Sequence, residues 1–160
     1  MGSVVRTLAV CGVLTTVCAS IVQAQGRPLS AAARQDLNFG MLIRGVPVTV
    51  SRFDAANAGH FEVRGRRQSE VQVILTLPAN LTAGAGALLP VEFSAVDGGI
   101  ATDRTVGGTQ SFDPNLSVTV VLPNNGKAYV YLGGTVRPGP QQPIGAYSAT
   151  ITLTAAYTGN

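Results

Sequence analysis

The sequence predicts an all-β domain, a sandwich of short antiparallel strands, and three observations predict it. From Gly145 to Tyr157 the chain alternates, with Tyr147, Ala149, Ile151, Leu153, Ala155 and Tyr157 on one face and Ser148, Thr150, Thr152 and Thr154 on the other, the period of a half-buried strand. Val71, Val73, Leu75 and Leu77 form a second stripe of the same kind, ended by Pro78. Elsewhere turn residues separate short apolar runs, and no segment beyond the first 24 residues holds a helical period. Such spacing leads to an expectation of roughly seven or eight strands.

The first 24 residues read as a secretory signal. Arg6 precedes a mostly apolar run from Leu8 to Val22, and Val22-Gln23-Ala24 presents small residues where signal peptidase cuts. Thr15, Thr16 and Ser20 dilute the run below the ~20 apolar residues of a membrane span, so no stable span is expected after cleavage. Both cysteines, Cys11 and Cys18, lie in this leader. Each comes after a valine rather than the small residue that lipid attachment requires. The mature chain is therefore expected to carry no lipid, disulfide or thiolate metal site.

The chain beyond the leader is of ordinary single-domain size. We divide the sequence into a signal (1–24), an N-terminal extension (25–35) and one β-sandwich domain (36–160). Only 12% of residues are charged, with 11 basic residues, one of them Arg6, against 8 acidic ones. That surplus is too small to argue for nucleic acid. The composition suits an exported sandwich whose outer faces carry Thr, Ser and Gln.

Along the chain, Gln25 to Gln35 is polar and small, and Leu29, Ala31 and Ala33 share a face if it is extended. Leu37 to Ile43 reads as a strand interrupted at Gly40. Val46, Val48 and Val50 alternate against Pro47 and Thr49. Because Pro47 lacks a ladder donor, this is an edge or switch strand. Asp54 to Gly59 is a turn, and Phe61 and Val63 then point one way while Glu62 and Arg64 point the other.

The stripe from Val71 to Leu77 is expected to be central, Asn80 to Ala87 a loop, and Val91, Phe93 and Ala95 one face of a short strand. Asp97-Gly98-Gly99 reads as a turn, and Ile100 to Pro114 as irregular chain with one short strand at most. Asn125-Gly126, between the runs Leu116–Leu122 and Lys127–Leu132, predicts a hairpin. Gly133-Gly134 then breaks the line before Thr135-Val136, and Pro138 to Pro143 leads into the terminal strand.

Residue types that carry chemistry are sparse. His60 is the single histidine and no Gly-x-Ser-x-Gly elbow accompanies it, so it reads as an exposed residue at a strand entrance. Asp97, Asp103 and Asp113 match no calcium-loop spacing. Neither Gly107-Gly108 nor Gly133-Gly134 leads into the Lys-Ser/Thr of a phosphate loop. Asn80-Leu81-Thr82 and Asn115-Leu116-Ser117 match the glycosylation sequon. No catalytic residue, cofactor or metal site is assigned and no enzyme is expected. Arg64, Arg66 and Arg67 form a basic cluster that suits an anionic glycan or surface polymer.

Leu37-Asn38-Phe39-Gly40, the run Gly59 to Gly65, Leu75-Thr76-Leu77-Pro78, Tyr131-Leu132-Gly133-Gly134-Thr135 and the segment Gly145 to Tyr157 occur in that order. Together, from about Gln35 to Tyr157, they resemble the secreted bacterial domains related to spore coat protein U and chaperone-usher pilins. The resemblance implies an immunoglobulin-like sandwich lacking its last strand, exported to the periplasm and then the cell surface or a fimbrium. It further implies capping by a periplasmic chaperone, delivery to an outer-membrane usher, and polymerisation with other copies or related subunits by donor-strand complementation. On that scheme Leu29, Ala31 and Ala33 are the donor strand, and Tyr147, Ala149, Ile151, Leu153, Ala155 and Tyr157 edge the acceptor groove. The function expected is a structural subunit of a fimbria or coat. The alternative is a monomeric secreted or periplasmic glycan-binding or interaction module of the same fold.

Overall fold

A computed structural model describes residues 27–159, so the expected leader lies outside the described residues. Twelve short strands succeed one another: β1 (Ser30–Gln35), β2 (Val48–Val50), β3 (Gly59–Arg64), β4 (Glu70–Thr76), β5 (Asn80–Thr82), β6 (Leu88–Glu92), β7 (Gly98–Ala101), β8 (Gln110–Phe112), β9 (Val118–Val121), β10 (Lys127–Leu132), β11 (Gly134–Val136) and β12 (Thr152–Tyr157). A 3-10 turn at Gly84–Gly86 is the one helical element among the described residues.

The strands make three antiparallel sheets, ordered β1-β3-β10-β7-β8, β2-β11-β6-β5 and β12-β4-β9. The five-stranded and three-stranded sheets face each other. Phe61 and Val63 of β3, Ile100 of β7 and Ala128, Val130 and Leu132 of β10 meet Val71, Val73 and Leu75 of β4 and Val118 of β9 in one buried cluster. Leu89, Val91 and Val136 form a smaller cluster on the four-stranded sheet. The fold is an all-β sandwich, as the alternation requires: on the principal strands one face is apolar and must be covered.

Several expectations hold locally. β4 is the central strand of its sheet. β2 starts after Pro47 and is an edge strand, where a missing ladder donor does no harm. β3 sends Phe61 and Val63 into the core with Glu62 and Arg64 on its other face.

Others are corrected. The Asn125-Gly126 turn forms, with Gly126 at φ 68 and its N–H bonded to the Pro123 carbonyl at 2.8 Å, yet it does not make a hairpin. β9 pairs with β4, whereas β10 pairs with β3 and β7. The turn arches between sheets because Leu122, wholly buried, dives into the core, and the Gly126 carbonyl accepts the Gly65 N–H at 2.9 Å.

At Gly133 the chain leaves the five-stranded sheet for the four-stranded one. A Cβ there would lie 2.5 Å from the Val50 carbonyl oxygen and 2.7 Å from the Arg52 nitrogen, so a residue with any side chain would obstruct the crossing. Gly98 and Gly99, expected as a turn, belong to β7, and Ile100 to Pro114 contains parts of two strands rather than one. Gln110 to Phe112 pairs with β7 along the backbone, which needs no apolar alternation. Asn80 to Thr82 likewise pairs with β6 inside a segment expected to be loop. Leu37 to Ile43 forms no ladder strand. Gly40 takes φ 65 and its N–H bonds the Asn38 side chain at 2.9 Å, a local turn that interrupts any strand.

Candidate functional site

Two concavities stand out, one on each side of the five-stranded sheet. The larger, about 860 Å³, opens between the sheets at the side where β1 and β12 are both edge strands. Leu37, Phe39 and Leu42 line one wall and Tyr147, Ala149 and Ile151 the other, with Phe61, Leu89 and Val91 deeper in. Met41 and Ile144, 95% and 93% exposed, also belong to this lining. Their side chains extend the apolar surface of the groove out to its rim.

The strands beside the groove are incompletely covered. Ala31 and Ala33 pair with Val63 and Phe61 and so share their inward face, yet both remain exposed. On β12, Leu153, Ala155 and Tyr157 pack against the core but are only partly buried. β12 pairs with β4 along one edge. Among the described residues no strand pairs with its other edge. One end of the gap is latched. The Tyr157 hydroxyl accepts the Arg66 N–H at 2.7 Å and donates to the Arg27 carbonyl at 3.0 Å.

The expected acceptor residues are therefore distributed along one side of the sandwich. Leu153, Ala155 and Tyr157 lie on β12, and Ile151 just before it lines the groove. Tyr147 and Ala149 lie in irregular chain that bridges Thr82 through Ser148, with reciprocal bonds of 2.9 Å. Gln142 donates to the Tyr147 hydroxyl at 2.7 Å, and that hydroxyl donates to the Pro143 carbonyl at 2.8 Å. The opposite wall, Leu37 to Leu42, has the composition of a strand, and nothing in its pattern announces a groove.

The residues expected as the donor strand pair within their own chain. Ala31 and Ala33 sit in β1, paired antiparallel to β3 of their own chain, and Leu29 packs on the main cluster. Residues 30–35 are thus a member of the sandwich rather than a free extension. β1 is held by its ladder and by Arg34, whose Nη2 lies 2.8 Å from Glu62 Oε2.

The second concavity, about 510 Å³, lies over the outer face of the five-stranded sheet. At its centre Glu62, 5% exposed, takes three cations: Arg34, Arg64 at 2.7 Å and Lys127 at 3.3 Å. The hydrogen bond from Arg64, with those from Lys127 and Arg34, outweighs burial and holds the carboxyl down to about 2. Strand pairing sets this cluster, because Lys127 lies opposite Arg64, Tyr129 opposite Glu62 and Tyr131 opposite His60.

His60 is partly buried rather than exposed, stacked on Tyr131 at 4.6 Å between ring centroids. Burial lowers its pKa against the pull of Glu62 and raises that of the Tyr131 hydroxyl. Arg104 reaches over from the loop after β7 and donates to the Tyr129 hydroxyl at 3.4 Å.

The expected basic cluster is taken apart by this geometry. Arg64 joins Glu62, whereas Arg66 lies over the Tyr157 ring at 5.6 Å. Arg67 lines neither concavity. Consecutive placement in sequence does not survive strand alternation and the turn at its end. Arg34, Lys127 and Arg104, distant in sequence, replace Arg66 and Arg67 beside Arg64. Glu62 carries the one local signal of this cluster: a carboxylate on the outer face of a strand, flanked two residues on by Arg64.

No curated protein matches the chain. A family model described as Domain of unknown function (DUF4402) matches residues 48–157, which takes in every strand from β2 to β12, and the chain belongs to that family.

Proposed function

We propose that this protein is a structural subunit of a bacterial surface fimbria or coat that receives an extended strand from a neighbouring subunit in the groove between residues 37–42 and 144–151. The observation that carries the reading is the apolar gap flanked by two edge strands. An added strand there satisfies the free ladder of the terminal segment and covers Ile151, Leu153, Phe39 and Leu42 together. Each fully buried large aliphatic side chain contributes about 1.5–3 kcal/mol, so a few anchors suffice to hold subunits without covalent bonds. The sandwich in this reading is immunoglobulin-like and incomplete. A periplasmic chaperone covers the groove before an outer-membrane usher passes the subunit on.

The donor in this reading differs from the one that the resemblance implies. For Leu29, Ala31 and Ala33 to enter another subunit, β1 must leave β3 and break the Arg34–Glu62 pair. A strand from a different segment or a related subunit meets no such cost.

The test is electrophoresis without boiling of the exported full-length chain, beside an Ile151→Lys variant. Multimers that disappear in the variant while its circular dichroism stays that of a β-protein support the reading. Multimers indifferent to the added charge, or none from the parent chain at all, overturn it. The seating of β1 in its own sheet favours a second reading, a self-contained secreted or periplasmic glycan-binding module. A lone monomer in size-exclusion chromatography at high concentration distinguishes it.

A further inference from the structure

We infer that the cleft on the outer face of the five-stranded sheet binds a carboxylated saccharide, with Arg104 and Arg64 gripping the carboxylate beside His60, Tyr129 and Tyr131. The site lies on the sheet face opposite the core, so ligand binding there is read separately from the receipt of a strand in the groove.

The cleft is enclosed by the β1–β3–β10 surface below, Asp54 to Ala58 on one side and Arg104 with Val106 on another. Its volume of about 510 Å³ falls in the range of small-molecule sites. Four cations, Arg34, Arg64, Arg104 and Lys127, surround this region. Two carboxylates line the cleft with them, Glu62 and Asp54, and both are occupied. Glu62 is shared among Arg34, Arg64 and Lys127. Asp54 turns back on its own loop, accepting from the Ala56 and Asn57 backbone and from the Asn57 side chain. Asp103, next to Arg104, bonds the Thr105 N–H at 3.1 Å.

Donors are left over. Arg64 hydrogen-bonds Glu62 through Nε, and Arg104 bonds the Tyr129 hydroxyl through Nε. Beyond these contacts neither guanidinium has another side-chain partner among the described residues, and two such forks match a carboxylate's paired oxygens. His60 lines the same cleft, and its buried Nε2 has no hydrogen-bond partner among the described residues. Orphaned buried nitrogens are rare in native proteins, and a small turn of the His60 ring would bring this one within reach of a ligand hydroxyl. Tyr129 and Tyr131 add phenolic hydroxyls to the same wall, the mixture of apolar ring, hydroxyl and cation that an acidic sugar meets. A bare inorganic anion would leave the rings and His60 unused.

Isothermal titration of the full exported chain with oligogalacturonate at low ionic strength, beside neutral oligogalactose, tests the assignment. Saturable binding of the acidic oligomer alone is expected, weakened about tenfold or more by Arg104→Ala and unchanged by Arg67→Ala. Because Arg104 bonds only a tyrosine hydroxyl, its removal leaves the fold intact, which thermal unfolding checks. Absence of oligogalacturonate binding, equal binding of the neutral oligomer, or equal losses in the two variants would overturn it, the last by showing diffuse charge attraction.

Discussion

β4 and β12 carry the same alternating pattern and lie hydrogen-bonded side by side, residue for residue from Val71 opposite Tyr157 to Thr76 opposite Thr152. Their fates differ. Val71 and Val73 are wholly buried, whereas Leu153, Ala155 and Tyr157 are only partly covered. The backbone ladder is the same for both strands, so the difference comes from what lies across the sandwich. β4 faces β3 and β10, and β12 faces the gap beside β1. Pattern selects which side chains turn inward, and the presence of a layer opposite decides whether that turn removes them from water.

The largest effect should come from placing a charge on each strand in turn. Val73→Asp puts an ion into the closed part of the core and should cost more than about 4 kcal/mol, enough to leave the chain unfolded in circular dichroism. Ala155→Asp, at the position paired with Val73, should leave the isolated chain folded, since water reaches that site. Equal damage from the two would mean that the edge is closed in solution.

Glu62 extends the contrast to the outer face. Its folded pKa lies near 2, below the ordinary 4.5, so the folded state resists protonation. The stabilisation is present in full above about pH 4.5 and is lost as pH falls towards 2, because the unfolded chain takes up the proton first. A shift of this size corresponds to about 3 kcal/mol at neutral pH, and solvent screening around the half-exposed arginines reduces it. Glu62→Gln should therefore lower stability in urea by about 2 kcal/mol at pH 7 and flatten the acid limb of the stability curve between those values. An unchanged acid limb would remove Glu62 as its source.

A finer comparison is truncation. Leu153→Ala should cost the isolated chain about 1 kcal/mol, less than the roughly 2–5 kcal/mol typical of closed cores, with the rest recovered only when another strand covers the groove. A full core penalty in the monomer would contradict the open edge. The smallest effect is expected at the latch. Tyr157→Phe removes the bonds to Arg66 and Arg27 and should cost about 0.5–1 kcal/mol, with faster amide exchange at Arg66.

Much of this contrast is legible in the order of the amino acids. The inward sets of β3, β4 and β12 come from alternation, and the edge position of β2 comes from Pro47. Features made by backbone pairing or by distance along the chain are not legible in that way. β5 and β8 owe their pairing to neighbours rather than to side-chain pattern. The Asn125-Gly126 turn has the composition of a hairpin but joins two sheets, because local turn chemistry fixes a reversal and not which partner the strands then find. Half of the groove is foreshadowed in Tyr147, Ala149 and Ile151. The other wall, Leu37 to Leu42, is not, because its Gly40 turn defeats any simple period.

Alternation between adjacent residues is enough to set the all-β class and the faces of the principal strands. It cannot place β1 in its own sheet or gather Arg34, Arg64, Arg104 and Lys127 around Glu62. Those outcomes depend on pairings between segments tens of residues apart, where many registers share one local pattern and the packing of the whole sandwich selects among them.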